Sequence, residues 1–346
     1  MKIIFLEGDM SRAGGTERMT AFLANALCSE HKVYIFSLHG CGESFFELEP
    51  QVTHIRMPEK HQRKAIHRFL QKELIDIAVN VDTGMSIFGI PSAWGTKTKV
   101  ITWEHSNYFN NWGSRWFPYI RRFAARHSDA VVVLTERDEQ NYRTHFKNCS
   151  HINVIGNPID SHEHTYSIES KTILSAGHLS SVKRFMLIPE IGKLVFSAHP
   201  DWKWRICGDG PDRTALEEKI IEYGLDRNIE LVGAAKDMDA EYRNAAIYVL
   251  TSETEGLPMV LLEAKSYSIP IVSFDIMSGP SEIVRDDANG FLVESGNVTV
   301  MAEKICGLID QPLLRKQFSE NAALDMDKFD RKAIVEKWMK LFRSLI

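Results

Sequence analysis

Thr251-Ser252-Glu253-Thr254-Glu255-Gly256-Leu257-Pro258-Met259-Val260-Leu261-Leu262-Glu263-Ala264 follows the apolar run 248–251 and opens an amphipathic segment, 259–267. A short buried strand, a polar turn and a helix make the first half of a βαβ unit. Gly256 lets backbone come close to a ligand, and Pro258 suits a first helical turn. The N–H groups of Met259, Val260 and Leu261 then point out of the helix N-terminus, where an anion such as phosphate is favoured. Glu255 precedes the helix and Glu263 lies a little over a turn inside it, so both project toward one ligand. Carboxylates beside phosphate are unfavourable unless they bond hydroxyls, which points to sugar or ribose groups.

The same strand, turn and helix pattern recurs along nearly the whole chain, and that alternation predicts an α/β fold with parallel sheets. Strands are expected at residues 3–6, 33–37, 77–81, 99–103, 130–134 and 152–155, with helices at 17–28, 60–74, 115–127 and 136–145. A second series places strands at 172–176, 203–207, 229–232, 248–251, 269–274 and 291–293, with helices at 183–198, 213–223, 259–267 and 300–309. Between the series runs Gly156-Asn157-Pro158-Ile159-Asp160-Ser161-His162-Glu163-His164, polar and without apolar period, which reads as a linker. Domains are therefore expected at 1–160 and 161–329. In the last segment, 330–346, Ile334, Val335, Trp338, Met339, Phe342 and Leu345 form one helical stripe.

The 346 residues, 44% hydrophobic and 25% charged, have the proportions of a globular protein, which excludes disorder and fibrous repeats. The net charge of -5 argues against a nucleic-acid partner. It conceals an uneven split: residues 1–165 hold 19 Lys/Arg and 18 Asp/Glu, leaving 22 of 41 and 28 of 46 to the second half. Lys60, Arg63, Lys64, Arg68 and Lys72 recur on one helix of the first half. Arg115, Arg121, Arg122 and Arg126 stand among Trp112, Trp116, Phe117 and Tyr119. A surface of that kind can rest on anionic lipid headgroups, although a solvated helix face over buried aromatics is the plainer alternative. The cysteines Cys28, Cys41, Cys149, Cys207 and Cys306 are scattered and odd in number, so neither a disulfide framework nor a zinc site is signalled, and a reducing, cytoplasmic compartment is expected. The opening run 3–6 is too short for a signal peptide or a membrane span and reads as a first strand.

With Glu255 and Glu263 at a Glu-x7-Glu spacing in the setting E-G-L-P-M-V-L-L-E-A, the sequence resembles the retaining nucleotide-sugar glycosyltransferases of the GT4 type (glycosyl transferases group 1). The resemblance implies the GT-B architecture, two Rossmann-like domains facing a cleft, with the C-terminal helix returning to the first. It implies that Glu255 binds the hydroxyls of the transferred sugar, that Gly256, Leu257, Pro258, Met259 and Val260 hold the diphosphate, and that Glu263 binds the ribose. Gly177-His178-Leu179-Ser180-Ser181-Val182-Lys183 is similar to the family's G-R-L-x-x-x-K, whose basic residues clamp the diphosphate. Lys183 keeps that charge, whereas His178 stands where the family has arginine. Gly208, in Cys207-Gly208-Asp209-Gly210-Pro211, and Gly233, after Leu231-Val232, are similar to the turns near the nucleotide and its base.

In the first half, Gly14-Gly15-Thr16-Glu17 resembles the family's Gly-Gly-x-Glu loop between donor phosphates and acceptor. It is not G-x-G-x-x-G, so a nicotinamide enzyme loses support. Thr102-Trp103-Glu104-His105-Ser106-Asn107-Tyr108 lies at a strand's carboxyl end, where open α/β sheets place ligands. His105 is the family's candidate for contact with the reacting sugar, and Glu17, Glu104, Asn107 and Tyr108 are candidates for the acceptor. The implied reaction moves a hexose or N-acetylhexosamine from a nucleotide sugar, with UDP the expected nucleotide, to a saccharide. Lys183, the helix amides and His178 would steady the leaving diphosphate. No metal and no other cofactor is implied, since Asp325-Met326-Asp327 falls in a C-terminal helical region. Resemblance within the family points to bacterial capsule, exopolysaccharide, O-antigen or lipid-linked oligosaccharide enzymes. That implies an acceptor linked to undecaprenyl diphosphate, met at the inner face of the cytoplasmic membrane. Two rival classes stay open: another GT-B enzyme, such as a nucleotide-sugar epimerase or a phosphorylase, and a non-catalytic sugar-nucleotide binding subunit.

Overall fold

The computed structural model describes residues 1–346 apart from 41, 58–59, 147–150, 161 and 163–165. Cys41, Cys149 and part of the linker expected over 156–164 therefore lie outside the described residues. The chain forms two compact units, Met1–Asn157 with Arg331–Ile346, and Pro158–Asp330.

The first unit runs β1 (Lys2–Glu7), α1 (Gly15–Leu27), β2 (Lys32–Ser37), β3 (Thr53–Arg56), α2 (Gln62–Glu73), β4 (Ile77–Val81), α3 (Ser86–Ala93), β5 (Lys99–Trp103), α4 (Phe117–His127), β6 (Ala130–Val133), α5 (Glu136–His145) and β7 (Ile152–Val154). Its strands form one parallel sheet in the order β3-β2-β1-β4-β5-β6-β7. Ile3, Ile4, Phe5 and Leu6 are all fully buried, as expected of a parallel strand covered on both faces. α5 shows why its boundaries were legible: the Thr135 hydroxyl accepts from the Asp138 N–H at 3.1 Å, acids fill the first turn, and Arg143 and His145 close the last. Two elements escape the pattern. β3 is a short edge strand with no fully buried side chain, and α3 carries Gly89 and Pro91, residues that ordinarily interrupt helices. Gly89 is needed because a Cβ there would lie 1.8 Å from Asn80 Oδ1.

The second unit runs β8 (Thr172–Ala176), α6 (Ile188–Ala198), β9 (Lys203–Cys207), α7 (Arg213–Glu222), β10 (Ile229–Gly233), α8 (Met238–Asn244), β11 (Ile247–Leu250), α9 (Met259–Ser266), β12 (Ile271–Asp275), α10 (Pro280–Ile283), β13 (Gly290–Glu294), α11 (Val298–Asp310) and α12 (Pro312–Glu320). Its parallel sheet has the order β10-β9-β8-β11-β12-β13. The α/β expectation is borne out in both units. One helix start is corrected: α6 begins at Ile188, not at residue 183. Arg184 is left-handed (φ 49°) and breaks the run into two 3-10 turns, Ser181–Lys183 and Phe185–Leu187, before Pro189 sits in the first helical turn.

The last helix, α13 (Arg331–Leu345), belongs to the first unit. Trp338 and Phe342 are fully buried there, and Trp338 packs edge-on against Trp103 at the end of β5, ring centroids 4.8 Å apart.

Candidate active site

In a doubly wound sheet, ligands bind beyond the carboxyl ends of the strands where the strand order reverses. In the second unit that point lies between β8 and β11, since the chain leaves β8 toward β9 while β11 sits on the other side. The two loops leaving these strands carry Lys183 and Glu255. Lys183 Nζ lies 2.5 Å from Glu255 Oε1, with both side chains largely buried. The loops are tied together by backbone: the Glu253 N–H donates to Val182 O at 2.8 Å and the Thr251 hydroxyl to Lys183 O at 2.8 Å. A second ion pair, Arg184 Nη2 to Glu253 Oε1 at 2.5 Å, flanks the first.

Glycines bring backbone against backbone here. Gly208 has φ 143°, and a Cβ on it would lie 1.9 Å from Gly177 O. Gly233 is left-handed at φ 78°. Behind the loop, Gly279 (φ 103°) packs against Pro258, and the Ser278 hydroxyl donates to Gly256 O at 3.2 Å. Leu257 and Pro258 are buried and fix the start of α9, while Met259 and Val260 are half-buried first-turn residues whose amides have no intrahelical acceptor. Glu263 accepts from the Tyr242 hydroxyl at 2.7 Å. Tyr242 is held in an aromatic stack with Tyr267 (5.2 Å, 11°), which itself stacks on His162 (4.2 Å, 15°). Sequence reasoning missed this support because α8, which carries Tyr242, is a seven-residue polar helix. His178 is exposed in the turn after β8.

In the first unit the strand order reverses between β1 and β4. Glu7 ends β1, buried, accepting from the Gly8 N–H at 2.8 Å and the Thr20 hydroxyl at 2.9 Å. Burial, with Glu17 and Asp82 adding like charge, pushes its carboxyl up to about 8. Asp82, just past β4, has φ 68° and ψ 146°, a conformation that costs a non-glycine residue strain. Burial and the Glu104 charge push it up to about 7. Neither carboxyl was singled out from the sequence, where each is an isolated acid at a strand end.

Gly14 caps α1, and a Cβ there would lie 2.2 Å from Glu17 Oε2. Gly15 opens the helix with free space beside it. Glu17 is buried, taking the Thr16 hydroxyl at 2.8 Å, with Arg12 3.8 Å away. Glu104 is fully enclosed, and its carboxylate receives the hydroxyls of Thr83, Ser106 and Tyr142 at 2.7–2.9 Å, the Ser106 N–H at 3.1 Å and Arg121 Nε at 3.5 Å. The side-chain oxygen of buried Asn107 accepts from the Phe109 and Asn110 N–H groups. Glu104 and Asn107 thus hold the loop after β5 in shape. Tyr108 stacks on His145 (4.4 Å, 26°). His105 lies against Trp103, centroids 4.2 Å apart. Its Nε2 is enclosed and lacks a hydrogen-bond partner among the described residues, and desolvation pushes the imidazole down to about 3, so it is neutral at physiological pH. Arg121 is buried against Glu104 and Phe117 is buried too, which removes both from the basic aromatic surface expected from the sequence.

Among the described residues no cluster of three or more His, Cys, Asp or Glu is placed to hold a metal ion, and Asp325 pairs with Arg285 at 2.6 Å. No helix among them is long and apolar enough to cross a membrane.

The family profile described as Glycosyl transferases group 1 matches residues 159–325, and that of Glycosyltransferase Family 4 matches 13–163. The chain is 29% identical to the amylovoran biosynthesis glycosyltransferase AmsD of Erwinia amylovora, over 97% of this chain and 98% of that one. It is 28% identical to a Campylobacter jejuni α-1,4-N-acetyl-D-galactosaminyltransferase whose name gives an undecaprenol-linked substrate, over 100% of this chain and 99% of that one. The solved structure of Anabaena HepE with UDP and glucose superposes with a TM-score of 0.83 at 17% identity, covering 99% of this chain and 100% of that one, which shows the shared GT-B fold. The two family profiles meet on one chain, on the two sheets described here, and the protein belongs to the group 1 glycosyltransferases of the GT4 type.

Proposed function

We propose that this glycosyltransferase moves a hexose or N-acetylhexosamine from a UDP-sugar to a lipid-linked saccharide in bacterial surface-polysaccharide assembly, with retention of configuration and without a metal. The Lys183–Glu255 pair in front of α9, at the reversal of strand order, carries the reading. A cation, a helix N-terminus and a carboxylate converge there, which suits a group that is anionic at one end and rich in hydroxyls at the other. UDP in HepE and an undecaprenol-linked substrate in the Campylobacter relative support the donor and acceptor classes.

On donor binding, Lys183 turns from Glu255 to the diphosphate, where the Met259 and Val260 amides share the charge that grows as the sugar departs. Glu255, released, takes sugar hydroxyls. Glu263, oriented by Tyr242, takes the ribose, and the backbone exposed at Gly208 and Gly233 serves the nucleotide. His178 adds a hydrogen bond to phosphate in place of a fixed charge. In the first unit His105 meets the sugar as a neutral group. The Gly14-Gly15 loop serves the donor phosphates, and the acceptor is met by Glu17 and Tyr108. Glu7 and Asp82 join this group, since carboxyls protonated near neutrality can donate as well as accept. Glu104 and Asn107 act on the acceptor only by holding the loop. A lipid-linked acceptor brings the enzyme to the inner face of the cytoplasmic membrane.

The test is nucleotide release from a panel of UDP- and GDP-sugars, first ranked by the thermal stabilisation each confers. Lys183→Ala and Glu255→Ala should each lower turnover about 100- to 1000-fold while leaving the unfolding curve in place. Near-normal rates in both variants refute the site.

A further inference from the structure

The aromatic support behind Glu263 reaches further than Tyr242. Tyr242 and Tyr267 are both buried, their planes 11° and their centroids 5.2 Å apart, and His162 adds a third near-parallel ring, 15° and 4.2 Å from Tyr267. On the inner side Tyr242 meets Tyr248 at 6.1 Å and 26°. Tyr248 is fully buried in β11, and its hydroxyl accepts from the Ala176 N–H at 3.0 Å and donates to Ala176 O at 3.3 Å, at the end of β8. Four rings therefore run from the segment between β7 and β8 to the strand pair where the sheet order reverses. At its outer end the segment is anchored: the Ile159 N–H donates to Phe329 O at 3.0 Å, and Ile159 bridges to Asp330.

Hydrogen bonds fix these rings in their planes as stacking fixes them face to face. The Tyr267 hydroxyl donates to Asp239, which Arg243 holds at 2.6 Å, and the Arg243 guanidinium lies 5.7 Å from the Tyr267 ring. The Tyr242 hydroxyl aims Glu263 Oε2 at 2.7 Å. α8, which carries Tyr242, has seven residues, too few to be stable by themselves, so the place of Tyr242 depends on what packs against it. A carboxylate that takes two neighbouring hydroxyls must present its plane to both, and a glutamate held in one rotamer beforehand loses less freedom on binding. Tyr267 sits one helical turn past Glu263 and supports it from behind, through Tyr242.

We propose that Tyr267, capped by His162, is a positioning residue of the donor site, holding Tyr242 and through it Glu263 in the orientation that takes the ribose hydroxyls. The inference rests on the ribose role of Glu263 given above and adds two residues to it, neither of which touches the donor. His162 acts as a ring and not as a base. The test is calorimetric binding of UDP, and of the UDP analogue that lacks both ribose hydroxyls, to the full chain. Wild type should favour UDP about 30-fold, the scale of hydrogen bonds to a charged group. His162→Ala should narrow that ratio about threefold and Tyr267→Leu about tenfold, within what a stacked aromatic pair supplies, while affinity for the analogue stays unchanged. His162→Phe keeps the ring and should restore the wild-type ratio. In a Tyr242→Phe background His162→Ala should add nothing, because the link to Glu263 is already cut. His162 is exposed, so its variants keep the test valid even where Tyr267→Leu lowers the Tm. An unchanged ratio in either folded variant overturns the proposal, as do equal losses for both ligands, failure of His162→Phe to restore the ratio, or additive effects in the double variant. Equal binding of the two ligands by wild type refutes the ribose reading of Glu263 itself, and the inference with it, so the two failures are distinguishable.

Discussion

Glu7→Gln is expected to stabilise the first unit, and by an amount that grows with pH. Glu7 is 4% exposed, receives only a backbone N–H and a hydroxyl, and its carboxyl is raised from 4.5 to about 8. A carboxyl raised in the folded state keeps its proton where the unfolded chain has lost it, so stability is full below about pH 4.5 and declines as pH rises toward 8. At 1.36 kcal/mol per unit, the decline approaches a ceiling of about 5 kcal/mol above pH 8, part of it shared with Glu17 and Asp82 through their charges. Glutamine copies the protonated form: its carbonyl accepts the Gly8 N–H and its amide donates to the Thr20 hydroxyl. The variant should match wild type near pH 4 and exceed it by about 3 kcal/mol at pH 7. For a unit of this size that is about 6–12 °C in Tm. Hydrogen exchange of β1 peptides across this pH range reads the first unit without interference from the second. A stability difference that stays flat with pH, or a variant weaker than wild type at pH 8, refutes the reasoning.

Two further outcomes follow from the second unit. Tyr242→Phe removes the hydroxyl that orients Glu263 and should raise the KM for the nucleotide sugar about fivefold with kcat changed less than about twofold; steady-state kinetics check the split. Gly208→Ala places a methyl on Gly177 O at a backbone angle alanine resists and should cost about 3 kcal/mol or more, seen as a lower Tm reported by Trp202 and Trp204 fluorescence.

Strands such as Ile77–Val81 and Lys99–Trp103 were legible to the residue because they are continuous apolar runs between polar turns. β3 was not, since an edge strand needs no such run, and α3 was hidden behind Gly89 and Pro91, which tertiary packing overrides. Of the candidate site, the Lys183 and Glu255 positions were readable as a motif, yet their direct pairing was not, because residues 72 apart in sequence meet only through sheet topology. Arg121 shows the converse error: an arginine counted with the surface cations is drawn inward by Glu104, a partner 17 residues away.

The return of α13 to the first unit has a consequence for biosynthesis. Trp338 covers Trp103, but the ribosome makes it only after the whole of 158–330. At about 5–20 residues per second that interval is on the order of ten to thirty seconds. The second unit, contiguous in the chain, can complete itself meanwhile, while the half-made first unit waits with the end of β5 uncovered. The nascent enzyme therefore matures from its second unit backward, and during that wait its earliest-made half is the part most in need of a chaperone.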